Sequence, residues 1–291
     1  MKPRESARTL LARHDIRPSR RLGQSFLTQP GVAERIARAA QIPPDGSVVE
    51  IGPGLGILTR ALAPLARRVA AIEVDQRLAR VLRAEGDLSP NVEVIEADAL
   101  DVDYDALAGR LGGPVSVVAN LPYAISTPLL FRLLESRHAI RRWVLMLQRE
   151  VGARLAAGPG TREYGALSVP IQMFADVKRL FTVDPANFHP RPEVASVVLR
   201  FDLREAPRFP IEDPGVFARV VRESFGRRRK TLSNALAALV AEAGPAPFAA
   251  AGIDPRRRGE TLSLAEFAGL ANAFARDGAR GEPEQAPRLR G

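Results

Sequence analysis

The sequence predicts a doubly wound α/β sheet followed by a small all-helical domain. Short runs rich in Val and Ile recur at 48–51, 69–74, 92–95, 115–118 and 143–147. They are apolar throughout rather than alternating, the pattern of parallel strands covered on both faces. Helix-like stretches at 55–65, 76–83 and 127–134 separate them, and strand–helix alternation defines the class. A later strand at 195–201 is expected to close the sheet. Around 202–213 the chain turns to Pro and charge, which reads as a linker, and beyond it only helical patterns occur, at 214–225, 231–243, 247–251 and 263–274. The expected division is a basic arm 1–21, an α/β domain 22–203, a helical domain 204–276 and a tail 277–291, rich in Gly, Pro and Arg and expected to be disordered.

A chain of 291 residues is long enough for two domains and a sizeable core. The absence of cysteine excludes disulfide frameworks, thiolate zinc sites and a cysteine nucleophile. His14, His138 and His189 lie far apart and in no metal-ligand spacing, so no metal site is expected. No apolar run approaches the length of a membrane span, and the basic N-terminus lacks the apolar core of a signal peptide. The expectation is a soluble, cytoplasmic protein with no membrane partner. The formal net charge of +9 favours polyanions, nucleic acid first. Lysine occurs only at Lys2, Lys178 and Lys230, an arginine bias that a GC-rich gene would also give, so clustering says more than the total.

The first strand runs straight into Gly52-Pro53-Gly54-Leu55-Gly56. A glycine turn between strand and helix lets the backbone approach a ligand. The dinucleotide fingerprint fits poorly, because its third glycine would fall on Ile57. Glu73 ends the second strand, where a carboxylate can accept hydrogen bonds from both ribose hydroxyls. Asp98 follows the third strand, where an acid can accept from a cofactor adenine or simply cap a turn. Glycine turn and acids at the ends of three successive strands together point to a nucleoside cofactor and the class I S-adenosyl-L-methionine (SAM)-dependent methyltransferase fold.

The fourth strand ends in Asn120-Leu121-Pro122-Tyr123. An adenine amino group is a poor nucleophile because its lone pair is delocalised into the ring. Acceptors that bind its two hydrogens pull the nitrogen toward a tetrahedral shape and aim the lone pair at a sulfonium methyl. The Asn120 side-chain carbonyl and the Leu121 backbone carbonyl are placed for this; Pro122 rigidifies the turn and Tyr123 offers a stacking face. Such a mechanism needs positioning and dipoles more than a general base. The bland alternative is a proline turn with Tyr123 in the core.

The chain resembles the small-subunit ribosomal RNA adenine N6,N6-dimethyltransferase family over roughly residues 20–275. The matching segments are Leu22-Gly23-Gln24-Ser25-Phe26-Leu27, Val49-Glu50-Ile51-Gly52-Pro53-Gly54, Ile72-Glu73-Val74-Asp75 and Asn120-Leu121-Pro122-Tyr123-Ala124-Ile125-Ser126-Thr127-Pro128. Leu147-Gln148-Arg149-Glu150, Tyr164-Gly165, Phe188-His189-Pro190-Arg191-Pro192 and Phe225-Gly226-Arg227-Arg228-Arg229-Lys230-Thr231-Leu232 follow. The resemblance implies that the glutamine-containing segment closes over SAM, adding Ser25 and Leu27 to Gly52, Gly54, Glu73, Asp98 and Asn120 as cofactor contacts. It implies that Phe188 and Tyr123 sandwich the target base. It also implies a monomer that dimethylates two adjacent adenines in a 3′-terminal hairpin of 16S rRNA within a small ribosomal subunit assembly intermediate. The sequence departs from the family pattern at Ser25, where Asn is common, at Ala124, where Asn often follows, and at Glu193, where lysine is usual. The first of these puts a side-chain contact to SAM in question.

Basic clusters stand at Arg227, Arg228, Arg229 and Lys230, at Arg256–Arg258, and in the arm at Arg13, Arg17, Arg20 and Arg21. The first precedes an amphipathic helix carrying Leu232, Leu236 and Leu239, so RNA phosphates are expected to meet both side chains and helix N–H groups there. Three rival functions are a large-subunit RNA methyltransferase, a non-enzymatic RNA- or DNA-binding assembly factor, and a nicotinamide oxidoreductase, the last disfavoured by Ile57.

Overall fold

A computed structural model describes residues 6–19, 22–85, 87–122, 125–227 and 229–280. The chain forms two compact units, one of residues 1–152 and 176–203, the other of 153–175 and 204–291.

The first unit holds strands β1 (Phe26–Leu27), β2 (Ser47–Ile51), β3 (Arg68–Glu73), β4 (Val92–Glu96), β5 (Val115–Asn120), β6 (Ile140–Gln148), β7 (Ala175–Val183), β8 (Phe188–His189) and β9 (Ser196–Leu203). Seven of them make one sheet in the order β4-β3-β2-β5-β6-β9-β7. The pairs from β4 to β6 are parallel, in register Val48↔Val69, Glu50↔Val118 and Val118↔Val144. Every residue of β2 is buried, which is why its sequence shows no alternation. On one face Val48, Val118, Val144 and Met146 pack with Ile36, Leu58 and Leu62 from the helices Pro30–Ala39 and Ile57–Leu62.

The expected closing strand departs from the parallel pattern. β9 pairs antiparallel with β6, and the edge beyond it is β7, which sequence reading missed. Trp143 on β6 and Phe201 opposite it on β9 are both buried, their rings 5.4 Å apart. The arm does not stand apart from this unit. The helix Ala7–Arg13 and Ile16 pack with Phe26, Leu55 and Leu78, and Arg13 and His14 both bind Glu85.

The second unit is built on the helices Pro214–Gly226 and Leu264–Arg276. Asp213 caps the first and a Ser263/Glu266 capping box starts the second, satisfying N–H groups that would otherwise be orphaned. Their inward faces (Phe217, Val220 and Val221; Phe267, Leu270 and Phe274) form one core with Leu232, Leu236 and Leu239.

Three boundaries differ from expectation. Residues 153–175 belong here, because Tyr164, Val169 and Met173 enter this core. The helix expected over 231–243 is broken at Leu236 into Leu232–Ala235 and Ala237–Ala243. The start of the tail is ordered: Ala279 is buried in the core, its N–H donates to the Phe274 carbonyl, and the Arg280 carbonyl accepts from Arg219. The rest of the tail, 281–291, lies outside the described residues. Among the described residues no helix is long and apolar enough to cross a membrane.

A chain ending at residue 276 should therefore be less stable than one ending at 280, by about 1–2 kcal/mol for the missing apolar burial and capping bonds. The shift in urea midpoint between the two truncations checks this.

Candidate active site

In a parallel sheet, ligands bind beyond the carboxyl ends of the strands, where the strand order reverses. Here that point lies between β2 and β5, since β3 and β4 continue to one side of β2 and β5 lies on the other. Residues far apart in sequence meet there because their strands are neighbours. Asp98 follows β4, Glu73 ends β3, Gly52 follows β2 and Asn120 ends β5. Ser25, Leu27, Gly52, Gly54, Glu73, Asp98, Asn120, Leu121 and Phe188 all line one open cleft of about 990 Å³, solvent at its mouth included. Tyr123 lies outside the described residues.

Glu73 is 5 % exposed, and its oxygens accept from the Gly54 and Asp75 N–H groups, each at 3.0 Å. Burial pushes its carboxyl above the ordinary range and those two N–H groups pull it back. Gly54 has a positive φ of 57°, and a Cβ there would sit 2.8 Å from the Phe26 ring. Only glycine therefore both makes the turn and fits beneath Phe26. Asp98 both shapes its turn and lines the cleft, with Oδ1 accepting from the Leu100 N–H at 2.9 Å. The buried Tyr104 pins that turn by donating to the Ala99 carbonyl at 2.8 Å. Leu121 is held by its N–H, which donates to the Met146 carbonyl at 3.1 Å.

The Asn120 carboxamide is anchored at one end: Nδ2 donates to the Ser25 carbonyl at 3.1 Å. Ser25 spends its hydroxyl proton on the Pro190 carbonyl, 2.8 Å away. Phe188 is buried opposite Leu27, in the two-stranded pairing of β1 with β8.

Sequence reasoning missed Glu50 as a site residue. It is 1 % exposed, lines the cleft, and neither carboxyl oxygen has a hydrogen-bond partner among the described residues. Burial pushes its carboxyl up to about 8; Thr59 lies close enough to pull the other way but not in hydrogen-bond geometry, and Glu73 adds like charge. A charged residue inside the apolar run Val48-Val49-Glu50-Ile51 was the available signal.

In the helical unit Arg227, Arg229 and Lys230 are exposed and form no ion pair among the described residues, while Arg228 lies outside them. Two of the helix N–H groups expected to be free beside them are occupied. Leu232 N–H donates to the Arg257 carbonyl at 2.7 Å and Ser233 N–H to the Pro255 carbonyl at 3.0 Å. Arg256, Arg257 and Arg258 each face an acid: Asp254, Glu266 and Glu260.

Residues 16–276 match the family model described as ribosomal RNA adenine dimethylase. This chain belongs to that family. It is 47 % identical over 281 residues to the ribosomal RNA small subunit methyltransferase A of Pelotomaculum thermopropionicum, covering 92 % of this chain and 95 % of that one. Its identity to the same-named protein of Geobacter sulfurreducens is 48 %, covering 89 % and 96 %. Among solved structures it is similar to a dimethyladenosine transferase from Plasmodium falciparum, with TM-score 0.70 and 27 % identity, covering 87 % of this chain and 98 % of that one. The 23S rRNA methyltransferase ErmE is similar at TM-score 0.67 and 26 % identity, covering 86 % and 99 %. As a member of this family the enzyme uses SAM.

The cleft fits that cofactor. Its described lining holds the acids Glu50, Glu73 and Asp98 and no basic residue. SAM carries a net positive charge and suits such a lining, whereas a dinucleotide's pyrophosphate would meet three carboxyls and no counter-charge.

The raised Glu50 carboxyl has a consequence for stability. The folded protein holds a proton that the unfolded chain releases from about 4.5 upward, so the contribution is complete below that pH and is lost as pH rises through about 8. The ligand-free enzyme should lose stability over this window, and Glu50→Gln should flatten the fall, leaving the smaller share due to Glu73. Urea midpoints followed by fluorescence of Trp143, at about pH 5.5 and about pH 8, measure it.

Proposed function

We propose that the enzyme dimethylates the exocyclic nitrogens of two adjacent adenines in a 3′-terminal hairpin of 16S rRNA. It acts in the cytoplasm, as a monomer, on an assembly intermediate of the small ribosomal subunit. The observation that carries the chemistry is the tethered Asn120 carboxamide at the end of β5. Its Nδ2 is spent on the Ser25 carbonyl, which leaves Oδ1 as the acceptor for an adenine amino hydrogen. The choice of substrate rests on identity of 47–48 % to proteins named ribosomal RNA small subunit methyltransferase A.

SAM supplies an electrophilic methyl on a sulfonium. Glu73 holds the ribose hydroxyls with the acceptor capacity that Gly54 and Asp75 leave, and Asp98 accepts from the cofactor adenine. Ser25, Leu27, Gly52 and Gly54 form the walls, the Ser25 hydroxyl donating its proton to the Pro190 carbonyl and keeping only acceptor capacity. Glu50 offers two unpartnered oxygens to the cofactor's ammonium end. In the first transfer Asn120 Oδ1 and the Leu121 carbonyl would accept hydrogen bonds from the two amino hydrogens of the target adenine, with Tyr123 and Phe188 stacked on the ring. The nitrogen gains the methyl as the methyl's bond to sulfur breaks, leaving a neutral thioether, and the cationic product loses one N–H proton to water. In the second transfer the one remaining hydrogen engages one of the two acceptors. No group has to change protonation for the nitrogen to become nucleophilic; fixed dipoles localise its lone pair. A base cannot reach this cleft from within a helix, so the target leaves its stack first.

Cofactor binding and alignment should separate cleanly. Glu73→Ala should weaken SAM binding by roughly 1.5–3 kcal/mol, because charge-assisted hydrogen bonds disappear, with RNA binding nearly unchanged. Asn120→Ala should slow single-turnover methylation far more than it weakens either ligand. Calorimetry and quench-flow on the two variants read these; a full rate for Asn120→Ala at saturating SAM would sink the acceptor role.

Arg227, Arg228, Arg229 and Lys230 anchor the RNA backbone through their side chains, the Leu232 and Ser233 N–H groups beside them being already bonded within the protein. Neutralising all four should leave SAM affinity intact and weaken RNA binding without changing which adenine is chosen. The log–log salt slope should flatten by roughly 0.7–0.9 for each phosphate that the variant no longer neutralises. An unchanged slope, from binding curves at several salt concentrations, would make them ordinary surface.

A further inference from the structure

Residues 24–28 form a strap along the cleft, held at both ends. At its start the Gln24 side chain makes two bonds: Oε1 accepts from the Ser19 N–H at 2.7 Å, and Nε2 donates to Asp75 Oδ2 at 3.0 Å. Asp75 is a rigid post. It is 7 % exposed, its N–H donates to Glu73, its Oδ1 caps the helix Gln76–Ala84, and the Arg77 guanidinium grips both its oxygens. At the far end Phe26 pairs with His189 and Leu27 with Phe188, and the Thr28 N–H and hydroxyl both donate to the Asn187 carbonyl. Between these anchors the Ser25 carbonyl receives the Asn120 carboxamide.

A primary carboxamide has nearly the same shape either way round, but its two ends have opposite hydrogen-bond character. The Ser25 carbonyl can only accept. It tolerates Nδ2 and repels Oδ1, so it selects the orientation in which Oδ1 is left for the substrate. Reversed, the side chain would present N–H groups to an adenine amino group, donor against donor, and the proposed alignment would fail. The orientation of Asn120 therefore depends on where the strap holds one carbonyl.

We propose that Gln24 is a positioning residue for methyl transfer: by pinning the strap to Asp75 it holds the Ser25 carbonyl where that carbonyl sets the orientation of the Asn120 carboxamide. This rests on the reading of Asn120 as the acceptor for the adenine amino group. It makes a seated strap a condition for chemistry, beyond covering the cofactor. Gln24 touches no reacting atom; it acts through Ser25 on Asn120.

The test is a double-mutant cycle in the full-length enzyme, with small subunits from an unmethylated strain as substrate. Gln24→Met keeps the length of the side chain and removes both its hydrogen bonds. At saturating SAM and RNA it should slow single-turnover methylation by about 10- to 100-fold, the scale of a misaligned reactive group. Combined with Asn120→Ala it should slow the reaction no further than Asn120→Ala alone, because the two act through one contact. The side-chain amide signals of Asn120 in a 15N-resolved NMR spectrum, protected from solvent exchange in the unaltered enzyme, should lose that protection in Gln24→Met while the rest of the spectrum shows an intact fold. A full rate for Gln24→Met, multiplying effects in the double variant, or unchanged protection would each overturn the proposal and leave Gln24 a cofactor-retention residue. Failure of the underlying reading looks different: Asn120→Ala alone would then keep its full rate.

Discussion

The cleft depends on one buried carboxylate and the two backbone N–H groups that hold it. Glu73 ends β3 in a place too dry for an unassisted charge, and the Gly54 and Asp75 N–H groups supply what water would. Those two bonds fix the glycine turn after β2 on one side and the start of the helix Gln76–Ala84 on the other. The turn then accepts Phe26 against Gly54, and the helix start presents Asp75 to Gln24. The strap, the turn and the buried Glu73 are thus one connected assembly. Such coupled networks respond as units when a member is removed.

Much of this was legible in the sequence because it is local. The parallel strands read as unbroken apolar runs since both faces are buried, and the candidate residues that line the cleft stand as punctuation at the ends of those runs. What was illegible depends on partners distant in the chain. β1 and β8 are two residues each and exist only because Phe26 meets His189; no periodicity can show that. β7 carries Asp176, Lys178 and Arg179 along a sheet edge, so its pattern is too polar to read as a strand. Tyr164, Val169 and Met173 lie in sequence among α/β residues and in space among helices. The N–H groups of Leu232 and Ser233 were expected to be free because the loop carrying Pro255 and Arg257, which occupies them, comes some twenty residues later.

Glu50 shows how burial and charge divide the cleft. It and Glu73 stand on neighbouring strands, and the charge of Glu73 adds to the cost of ionising Glu50. Two acids so placed are poorly matched to an anionic ligand and well matched to a cation, whose arrival would let both ionise. Burial raises the Glu50 carboxyl, and no basic residue of the described lining stands by to offset it.

Methylating an amino nitrogen that has no free lone pair could be approached with a strong base or with geometry. The described cleft offers acceptors at fixed positions, and a mechanism of this kind is only as good as the placement of its dipoles. A carboxamide is a vulnerable choice for such a role, because turning it over costs little in shape and reverses its meaning. A serine hydroxyl or a water could accept from Nδ2 or donate to Oδ1, so it would fix neither orientation. A backbone carbonyl can do only one thing, and Ser25 supplies one from a strap whose position is set by residues on both sides of the cleft. In the proposed mechanism the specificity of the step for an amino group, a donor, therefore descends from a main-chain atom that no side-chain motif records.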